Sequence, residues 1–315
     1  MELYQGAHQI QSLFGVRNLF QYLLTGDRLI LVDSGIAATP ESTILPYIER
    51  LGYDPRRLSM VITTHPDLDH QGGNSAIRRV AASALFACGE ADRELVEDPR
   101  TLYSKRYNYM RSDHDVGFEE QPPSDAGAVC AVDIGYRGGE RIALSDGWEV
   151  EVLHLPGHSR GHLALYDRVH KAAFVSDAVH GNGCPKADGT LAIPVTYYYV
   201  DTYLSTLQYL EQLQIDALYT GHWPIMRREE VSDFLADSRR TVARLDRRFL
   251  RALSASTAGL TLKDLIAEAA EEFPEWPQDT RELAMFSVKG HLDRLEAQNK
   301  VRLVSGYHPL RWLLS

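Results

Sequence analysis

Four side chains of the types that bind metal ions lie within six consecutive residues, in the segment TTHPDLDHQGG at positions 63–73. They are His65, Asp67, Asp69 and His70. Imidazole nitrogens and carboxylate oxygens are common ligands of zinc, iron and manganese. The proline after His65 disfavours a helix there, so the segment begins as an extended or turning loop that can supply ligands to two adjacent cations. A charged, solvent-exposed turn is the alternative interpretation of this segment.

Three later segments place similar side chains after apolar, strand-like runs. His158 lies in LPGHSRGHLAL, Asp177 in FVSDAV and His222 in LYTGHWP. Each segment puts a ligand-capable residue in the same kind of position as the first loop, which favours a metal site over a charged turn. His162, in the first of these segments, is expected to pack beneath its loop and not to bind metal.

The elements that would position these side chains alternate between strand and helix in the first 226 residues. The run FQYLLTGDRLILVDSG is typical of two strands joined by a tight turn. LSMVITTH is typical of a buried strand that ends at the metal-ligand loop, and residues 43–51 show the apolar spacing of a helix. This alternation predicts an α/β protein with a largely buried sheet.

Residues 98–139 interrupt the alternation with several tyrosines, a proline pair and a glycine pair. An insertion of this length predicts either a lid over the site or a surface segment packed by its own aromatic side chains.

The pattern becomes helical at about residue 227. Apolar residues between 231 and 253 fall on one helical face and arginines occupy much of the rest. Thr261 is placed to cap a second helix, a third is predicted over 287–298, and KVRLVSGYHPLRWLL is typical of a closing hairpin. The sequence therefore predicts a catalytic domain at 1–226 and a C-terminal helical, winged-helix-like domain at 227–315.

Over roughly residues 7–226 the ordered motifs resemble the metallo-β-lactamase superfamily of metal-dependent hydrolases. The family pattern is an Asp after an early strand, then His-x-His-x-Asp-His, a His in a Pro-Gly-His loop, an Asp, and a final Gly-His. The matching residues are Asp33, His65, Asp67, Asp69, His70, His158, Asp177 and His222. The resemblance implies an αβ/βα sandwich with a dinuclear metal site at one edge, between two sheets.

Carried over by position, the resemblance implies that two divalent cations are bound. One would be held by His65, Asp67 and His158. The other would be held by Asp69, His70 and His222, with Asp177 bridging the two and Asp33 supporting the ligand loop without binding metal.

Asp67 departs from the family pattern, because most members have histidine at that position. A carboxylate oxygen there keeps zinc as the first expectation and adds iron and manganese as alternatives. A weaker or vacant first site is a further alternative.

Two close cations lower the pKa of a bridging water, and the resulting metal-bridging hydroxide attacks an electrophilic carbon or phosphorus. Asp69 and Asp177 are the candidates to orient this nucleophile or accept its proton. We expect a hydrolase of a small-molecule ester, lactone or thioester. The alternatives are a phosphodiesterase or ribonuclease on the same dinuclear site and a non-catalytic metal-binding module.

Tyr197, Tyr198 and Tyr199 are the candidates for substrate binding, because they lie between the Asp177 and His222 motifs. Three consecutive aromatic residues alternate in direction, so at least one of them is expected in the core.

Charge favours a small-molecule substrate over nucleic acid. The 315-residue chain has a net charge of −10, of which residues 1–226 contribute −11 (18 basic, 29 acidic) and residues 227–315 contribute +1 (15 basic, 14 acidic). An acidic catalytic region does not attract a polyanion over long range. Packing against the catalytic domain, or pairing of two copies as a homodimer, is therefore favoured for the C-terminal domain.

The cysteine content and the hydropathy of the sequence constrain where the protein is located. The three cysteines are odd in number and far apart, which fits a reducing cytoplasm. No apolar run approaches the roughly 20 residues that cross a membrane, so no membrane partner is expected.

Overall fold

A seven-stranded sheet is built from the first part of the chain in the computed structural model, which describes residues 1–119 and 121–315. Its strands are β1 (Glu2–Tyr4), β2 (Ala7–Phe14), β3 (Arg17–Thr25), β4 (Leu29–Val32), β5 (Leu58–Thr63), β6 (Leu85–Gly89) and β7 (Ile134–Tyr136). They lie in the sheet in chain order, with antiparallel pairing from β1 to β4 and parallel pairing from β4 to β7. The parallel part brings the carboxyl ends of β4 and β5 to the same edge.

The second half of the catalytic region forms a six-stranded sheet and a short separate hairpin. The strands are β8 (Arg141–Ser145), β9 (Trp148–His154), β10 (Leu163–Asp167), β11 (Ala172–Ser176), the hairpin β12 (Cys184–Pro185) and β13 (Leu191–Ile193), β14 (Ala217–Thr220) and β15 (Met226–Arg227). The order in the six-stranded sheet is β15-β14-β11-β10-β9-β8, and β11 and β14 are parallel. Their carboxyl ends therefore also share an edge.

The two sheets pack face to face through apolar side chains. Ile62 of the first sheet and Phe174 of the second belong to one buried cluster between them. LILV and most of LSMVIT are buried, as expected of strands covered on both faces. This packing confirms the predicted α/β fold.

Helices cover the outer faces. The helices of the catalytic region are α1 (Leu45–Arg50), α2 (Leu68–Gln71), α3 (Asn74–Val80), α4 (Arg93–Glu97), α5 (Pro99–Leu102), α6 (Arg111–His114) and α7 (Val200–Gln212). Ile48 of α1 and Ile77 of α3 pack on the first sheet, and Leu207 of α7 belongs to the cluster that covers the second. The layers are those of an αβ/βα sandwich.

The 98–139 segment confirms one of the two predictions made for it, packing by its own aromatic side chains, and it includes β7, whereas a lid over the site stays a prediction. It contains α5, a π-helical turn (Tyr103–Tyr107), α6 and a 3-10 turn (Ser124–Ala126). The rings of Tyr103 and Phe118 pack on that of Tyr107 at 6.4 Å or less. The segment is thus packed by its own aromatic residues.

The C-terminal region is helical and closes with a hairpin, as predicted. It contains α8 (Glu229–Ala255), β16 (Leu260–Thr261), α9 (Leu262–Glu272), α10 (Met285–Ala297), β17 (Val301–Val304) and β18 (Arg311–Leu314). The strands form a sheet in the order β16-β18-β17, and Thr261 caps α9 through a capping box with Asp264. The winged-helix assignment and the 226/227 boundary stay predictions.

The C-terminal region packs on the first part of the chain, where its helices α8 and α10 contact α7. Buried apolar residues of all three helices belong to one cluster. Arg294 of α10 bonds to Asp201 of α7 at 2.7 Å. No helix of the described residues is both long enough and apolar enough to cross a membrane.

Candidate metal centre

The ligand candidates predicted from the sequence lie at one edge of the sandwich, just beyond strand ends. His65 follows β5, Asp177 follows β11 and His222 follows β14. His158 lies in the loop between β9 and β10, and α2 begins at Leu68, so that Asp69 and His70 occupy its first turn. The strands thus position every candidate from rigid elements.

The structure brings these residues together in two groups of three. In each group the candidate ligand atoms lie within 4.8 Å of one another. We refer to His65, Asp67 and His158 as the Asp67 trio, and to Asp69, His70 and His222 as the Asp69 trio. Asp177 forms a third group with His65 and His70, and so links the two trios.

The Asp69 trio converges on a small volume. His222 Nε2 lies 3.4 Å from His70 Nε2, 3.4 Å from Asp69 Oδ2 and 3.3 Å from Asp177 Oδ2. His222 Nδ1 lies 2.7 Å from the Asn18 carbonyl oxygen, to which it donates. That bond directs Nε2 to the centre. Burial lowers the pKa of His222, but Cys184 and Asp177 outweigh it and hold that pKa well above its usual value, so a cation at Nε2 must displace a proton.

Asp33 holds the loop that carries these ligands. It accepts hydrogen bonds from the Thr64 amide at 2.8 Å and from the Ser176 hydroxyl at 3.0 Å, and its Oδ2 lies 2.9 Å from His70 Nδ1. Asp33 and Ser176 have φ values of 59° and 48°. Such left-handed residues are uncommon outside glycine and cluster at functional sites.

Buried polar atoms without partners face the same volume. Among the described residues, His65 Nε2, Asp69 Oδ2 and Asp177 Oδ1 are buried and make no hydrogen bond. Such atoms cost free energy that a bound cation would offset. A Cβ at Gly221 would lie 2.3 Å from Asp177 Oδ1 and 2.8 Å from His70 Cε1, so the backbone here approaches the ligands closely. The nitrogen and oxygen donors fit zinc, iron or manganese.

Asp67 has a different environment, because the 98–139 segment contacts it. Arg106 Nε donates to Asp67 Oδ1 at 2.8 Å, and the Tyr107 hydroxyl donates to the same oxygen at 3.0 Å. Arg106 Nη2 lies 3.4 Å from Oδ2, and His158 Nε2 lies 2.8 Å from Oδ2. Both oxygens of this carboxylate are therefore bonded within the protein.

Sequence reasoning missed three residues of the centre. Arg106 and Tyr107 contact Asp67 from about 40 positions further along the chain. Arg17 Nη2 approaches Asp69 Oδ2 at 3.4 Å from the start of β3. None of the three lies in a motif, so only the folded chain identifies them.

The carboxylates of the centre are ionised at neutral pH. Burial raises the pKa of Asp67, but the charge of Arg106 and the contact with His158 outweigh burial and hold that pKa well below its usual value. Burial likewise opposes ionisation of Asp69, yet Arg17 and other positive charges lower its pKa to about 2. Both groups are thus ready to bind a cation.

The histidines differ from each other in protonation. Burial lowers the pKa of His70, but the negative charges of Asp177 and Asp33 outweigh it and raise that pKa to about 9. Burial and the neighbouring His70 ring lower the pKa of His65 well below its usual value. A cation at His70 must therefore displace a proton, whereas His65 is already neutral.

The three tyrosine candidates lie in different places. Tyr197 is completely buried, with its hydroxyl 3.0 Å from His291 Nε2 and its ring stacked on Tyr203 at 4.3 Å. Its predicted contact with substrate is therefore corrected to a place in the core, because consecutive side chains alternate in direction. Tyr198 and Tyr199 line a cavity.

This cavity has a volume of about 310 Å³ and lies between the 98–139 segment, the His158 loop and α10. Its walls are cationic and aromatic, from Lys105, Arg106, Tyr109, Arg160, Tyr198, Tyr199 and Phe286, with acidic Asp92 and Glu94 at one side. Because Arg106 contacts both Asp67 and the cavity, the cavity adjoins the candidate metal centre. His162 lies beneath the loop as predicted, with its ring stacked on that of His65 at 4.8 Å.

Four of the six arginines of α8 pair with carboxylates, namely Arg239, Arg240, Arg244 and Arg248. Arg239 pairs with Glu211 at 2.9 Å, and Arg244 pairs with Glu272 at 2.9 Å. Such pairing reduces the positive charge that this helix offers to a polyanion.

Comparisons with known proteins agree with this architecture. The sequence profile of the metallo-beta-lactamase superfamily matches residues 15–222. Acyl-coenzyme A thioesterase MBLAC2 from Gallus gallus is 26% identical over 238 residues, which cover 70% of each chain. Hydroxyacylglutathione hydrolase GloC from Haemophilus influenzae is 23% identical over 141 residues, covering 45% of this chain and 59% of that protein.

A solved structure resembles the whole chain. The metallo-beta-lactamase family protein TTHA1429 from Thermus thermophilus has a TM-score of 0.73 and 18% identity, with 100% of both chains covered. At this identity the likeness concerns the fold alone.

Proposed function

The chain belongs to the metallo-β-lactamase superfamily and is a metal-dependent hydrolase, and on that premise we propose that its substrates are small-molecule thioesters. Convergence of seven candidate ligands beside a cationic, aromatic cavity supports the proposal most directly. The names of two relatives, an acyl-coenzyme A thioesterase and a hydroxyacylglutathione hydrolase, favour thioesters over the esters and lactones that share the same carbonyl chemistry.

A divalent cation would be held by the Asp69 trio together with Asp177, and zinc is the first candidate for this set of two imidazoles and two carboxylates. When bound, such a cation supplies a water nucleophile at neutral pH and positive charge for the developing oxyanion. Asp33 orients the His70 ring through Nδ1 and so leaves Nε2 free to bind. Asp177, whose Oδ1 is buried and unpartnered among the described residues, and Asp69 are proposed to orient the nucleophile or accept its proton.

The protonation states of the centre suit a thioester. The pKa values of Asp67, Asp69 and Asp177 are lowered against the effect of burial by neighbouring positive charges, so none of these groups carries a proton to donate at neutral pH. A departing thiolate needs little protonation, since an ordinary thiol has a pKa of about 8.5, whereas an alkoxide from an ester is far more basic. The reaction therefore requires no strong acid beside the leaving group.

The cavity suits a substrate that carries negative charge. Lys105 is paired with Glu94 at 2.5 Å, whereas Arg160 forms no ion pair with a carboxylate among the described residues. Arg160 Nε instead donates to the Tyr199 hydroxyl at 2.9 Å. We propose that Arg160, Tyr198 and Tyr199 bind an anionic or aromatic part of the thioester.

The experiment is a substrate panel on the purified chain. We expect the highest kcat/KM for acetyl-coenzyme A or lactoylglutathione, and lower values for p-nitrophenyl acetate, a lactone and bis-p-nitrophenyl phosphate. His222→Ala should lower turnover at least about 100-fold, because it removes a metal ligand. His308→Ala, which changes an exposed histidine outside the centre, is the matched control.

Two results would contradict the proposal. A chain that holds no metal and cleaves none of the panel would exclude the hydrolase function at this centre. A highest kcat/KM for the phosphodiester would replace thioester cleavage with phosphodiester cleavage.

A further inference from the structure

We propose that the chain holds one tightly bound divalent cation, in the Asp69 trio, and that the guanidinium of Arg106 keeps a second cation out of the Asp67 trio. This inference rests on the proposed function, because it concerns the same centre. It assigns a role to Arg106, a residue outside every ligand motif.

Both carboxylate oxygens of Asp67 are already occupied by contacts within the protein. Oδ1 accepts from Arg106 Nε at 2.8 Å and from the Tyr107 hydroxyl at 3.0 Å. Oδ2 lies 2.8 Å from His158 Nε2 and 3.4 Å from Arg106 Nη2. A cation that bound Asp67 would have to displace or weaken these contacts. Asp69 Oδ2, by contrast, makes no hydrogen bond among the described residues, and its nearest partners Arg17 and His222 lie at 3.4 Å. In the Asp67 trio only His65 Nε2 is similarly unpartnered among the described residues, so it is Asp67 and His158 that are engaged by Arg106.

The guanidinium of Arg106 also lies close to the His158 ligand. Arg106 Nη2 also lies 3.4 Å from His158 Nε2, and Nη1 donates to the His158 carbonyl at 3.1 Å. This permanent positive charge therefore lies against two of the three ligands of the Asp67 trio. A divalent cation among the same atoms would experience like-charge repulsion in a buried environment.

Packing keeps Arg106 in place. The residue is 8% exposed, and its guanidinium lies over the Phe286 ring of α10 at 5.5 Å from the ring centre. A cation–π contact of this kind helps to hold the guanidinium in its place. Arg106 is therefore a buried, fixed component of the centre and not a mobile surface side chain.

Charge balance points to the same number of ions. The carboxylates that contact candidate ligands or belong to them are Asp33, Asp67, Asp69 and Asp177, and the guanidiniums that contact these carboxylates are Arg17 and Arg106. With the imidazoles neutral, as metal binding requires, four negative and two positive charges leave −2, which one divalent cation neutralises. A second divalent cation would leave a buried charge of +1 even with one bound hydroxide. Arg17 approaches Asp69 at 3.4 Å without a hydrogen bond, so that carboxylate keeps an oxygen for the cation.

The experiment measures metal stoichiometry, independently of turnover. The full chain is dialysed against graded free Zn²⁺, and zinc per chain is determined by inductively coupled plasma mass spectrometry. We expect one tightly bound ion, with a second bound at least about 100-fold more weakly. In Arg106→Met we expect two ions of similar affinity. Arg78→Met, which removes an arginine that pairs with Asp133 and lies over the Phe86 ring away from the centre, should bind zinc as the unchanged protein does.

The sign of the Arg106→Met effect separates two roles. If Arg106 merely orients Asp67 as a metal ligand, its removal should weaken zinc binding by about 10- to 100-fold, as loss of an outer hydrogen-bond partner does. That result, or two ions of equal affinity in the unchanged protein, would overturn the inference while leaving thioester hydrolysis intact.

A second pair of variants tests the inference should Arg106→Met fail to fold. Asp67→Ala should still hold one ion, whereas Asp69→Ala should hold none tightly. Loss of the ion in Asp67→Ala with retention in Asp69→Ala would reverse the assignment. A chain without any bound zinc would overturn both this inference and the proposed function.

Discussion

Asp67 and Asp69 are two carboxylates of the same loop, two residues apart, yet they have different surroundings. Asp67 is bonded by Arg106 and Tyr107 from the 98–139 segment. Asp69 Oδ2 has only the longer approaches of Arg17 and His222, both at 3.4 Å, and makes no hydrogen bond among the described residues. Two identical side chains therefore differ in their hydrogen bonding once the chain is folded. Segments distant in sequence decide which of the two carboxylates remains available to a cation.

The largest expected effect separates these two carboxylates by activity. Asp69→Asn should lower kcat/KM by about 1000-fold, because the amide is a poor ligand for the cation on which turnover depends. Asp67→Asn should lower kcat/KM far less, by about tenfold. Steady-state kinetics of both variants on the same thioester measures the two losses. Equal losses in the two variants would mean that the trios contribute equally.

Asp67→Asn should instead show its effect in stability. The substitution leaves the buried guanidinium of Arg106 without its carboxylate, which costs about 3 kcal/mol in the free energy of unfolding. Urea denaturation measures this loss, and Arg106→Met in the same chain should recover part of it. A double variant no more stable than Asp67→Asn would contradict the pairing.

Gly221→Ala extends the comparison to the backbone beside the Asp69 trio. Because the new Cβ would lie 2.3 Å from Asp177 Oδ1, the carboxylate must move. We expect zinc affinity and kcat/KM to fall by about 100-fold, while the Asp67–Arg106 pair and the melting temperature change little. Unchanged zinc affinity would show that Asp177 can move without loss.

Acid should destabilise the metal-free protein through Asp69. The pKa of this buried carboxyl is about 2 in the folded chain, because Arg17 and neighbouring histidines outweigh burial, and about 3.9 when unfolded. A lowered folded pKa contributes stability above pH 4 that is lost as pH falls towards 2, by roughly 2.6 kcal/mol over the whole range. Urea denaturation in chelator at pH 5 and pH 3 tests this, and Asp69→Asn should lose less stability between the two.

The smallest expected effect lies far from both trios. Arg239 on α8 pairs with Glu211, and both side chains are about 40% exposed. Solvent screens such a pair, so Arg239→Ala should shift the melting temperature by no more than about 2 °C and leave turnover unchanged. A marked loss of RNA affinity in this variant would instead favour the ribonuclease alternative.

Local patterns in the sequence were enough to predict the candidate ligands and several elements, such as β4, β5, α8 and α9, but they did not identify β2 or α7. The candidate ligands follow apolar runs of strand length in the sequence, first His65, Asp69 and His70 and later His158, Asp177 and His222. This order can be read without knowing how the strands pack. Parallel pairing then brings the strand ends to one edge, which is why the predicted ligands lie together.

Contacts across long separations could not be predicted in the same way. The sequence alone left the 98–139 segment open between a lid and a self-packed excursion, and it grouped Tyr197 with two tyrosines of the cavity wall. In the structure Tyr197 is completely buried on Tyr203 and His291, while Tyr198 and Tyr199 line the cavity.

By itself the sequence determined which residues can bind metal and in what order the elements carry them, since ligand spacing and apolar periodicity are local properties of the chain. Only the tertiary structure decided that Arg106 is bonded to Asp67 and that Asp69 Oδ2 makes no hydrogen bond within the part of the chain that the structure describes. The physical reason is that a carboxylate's charge partners are set by packing between segments about 40 or more residues apart, and no local propensity encodes that packing.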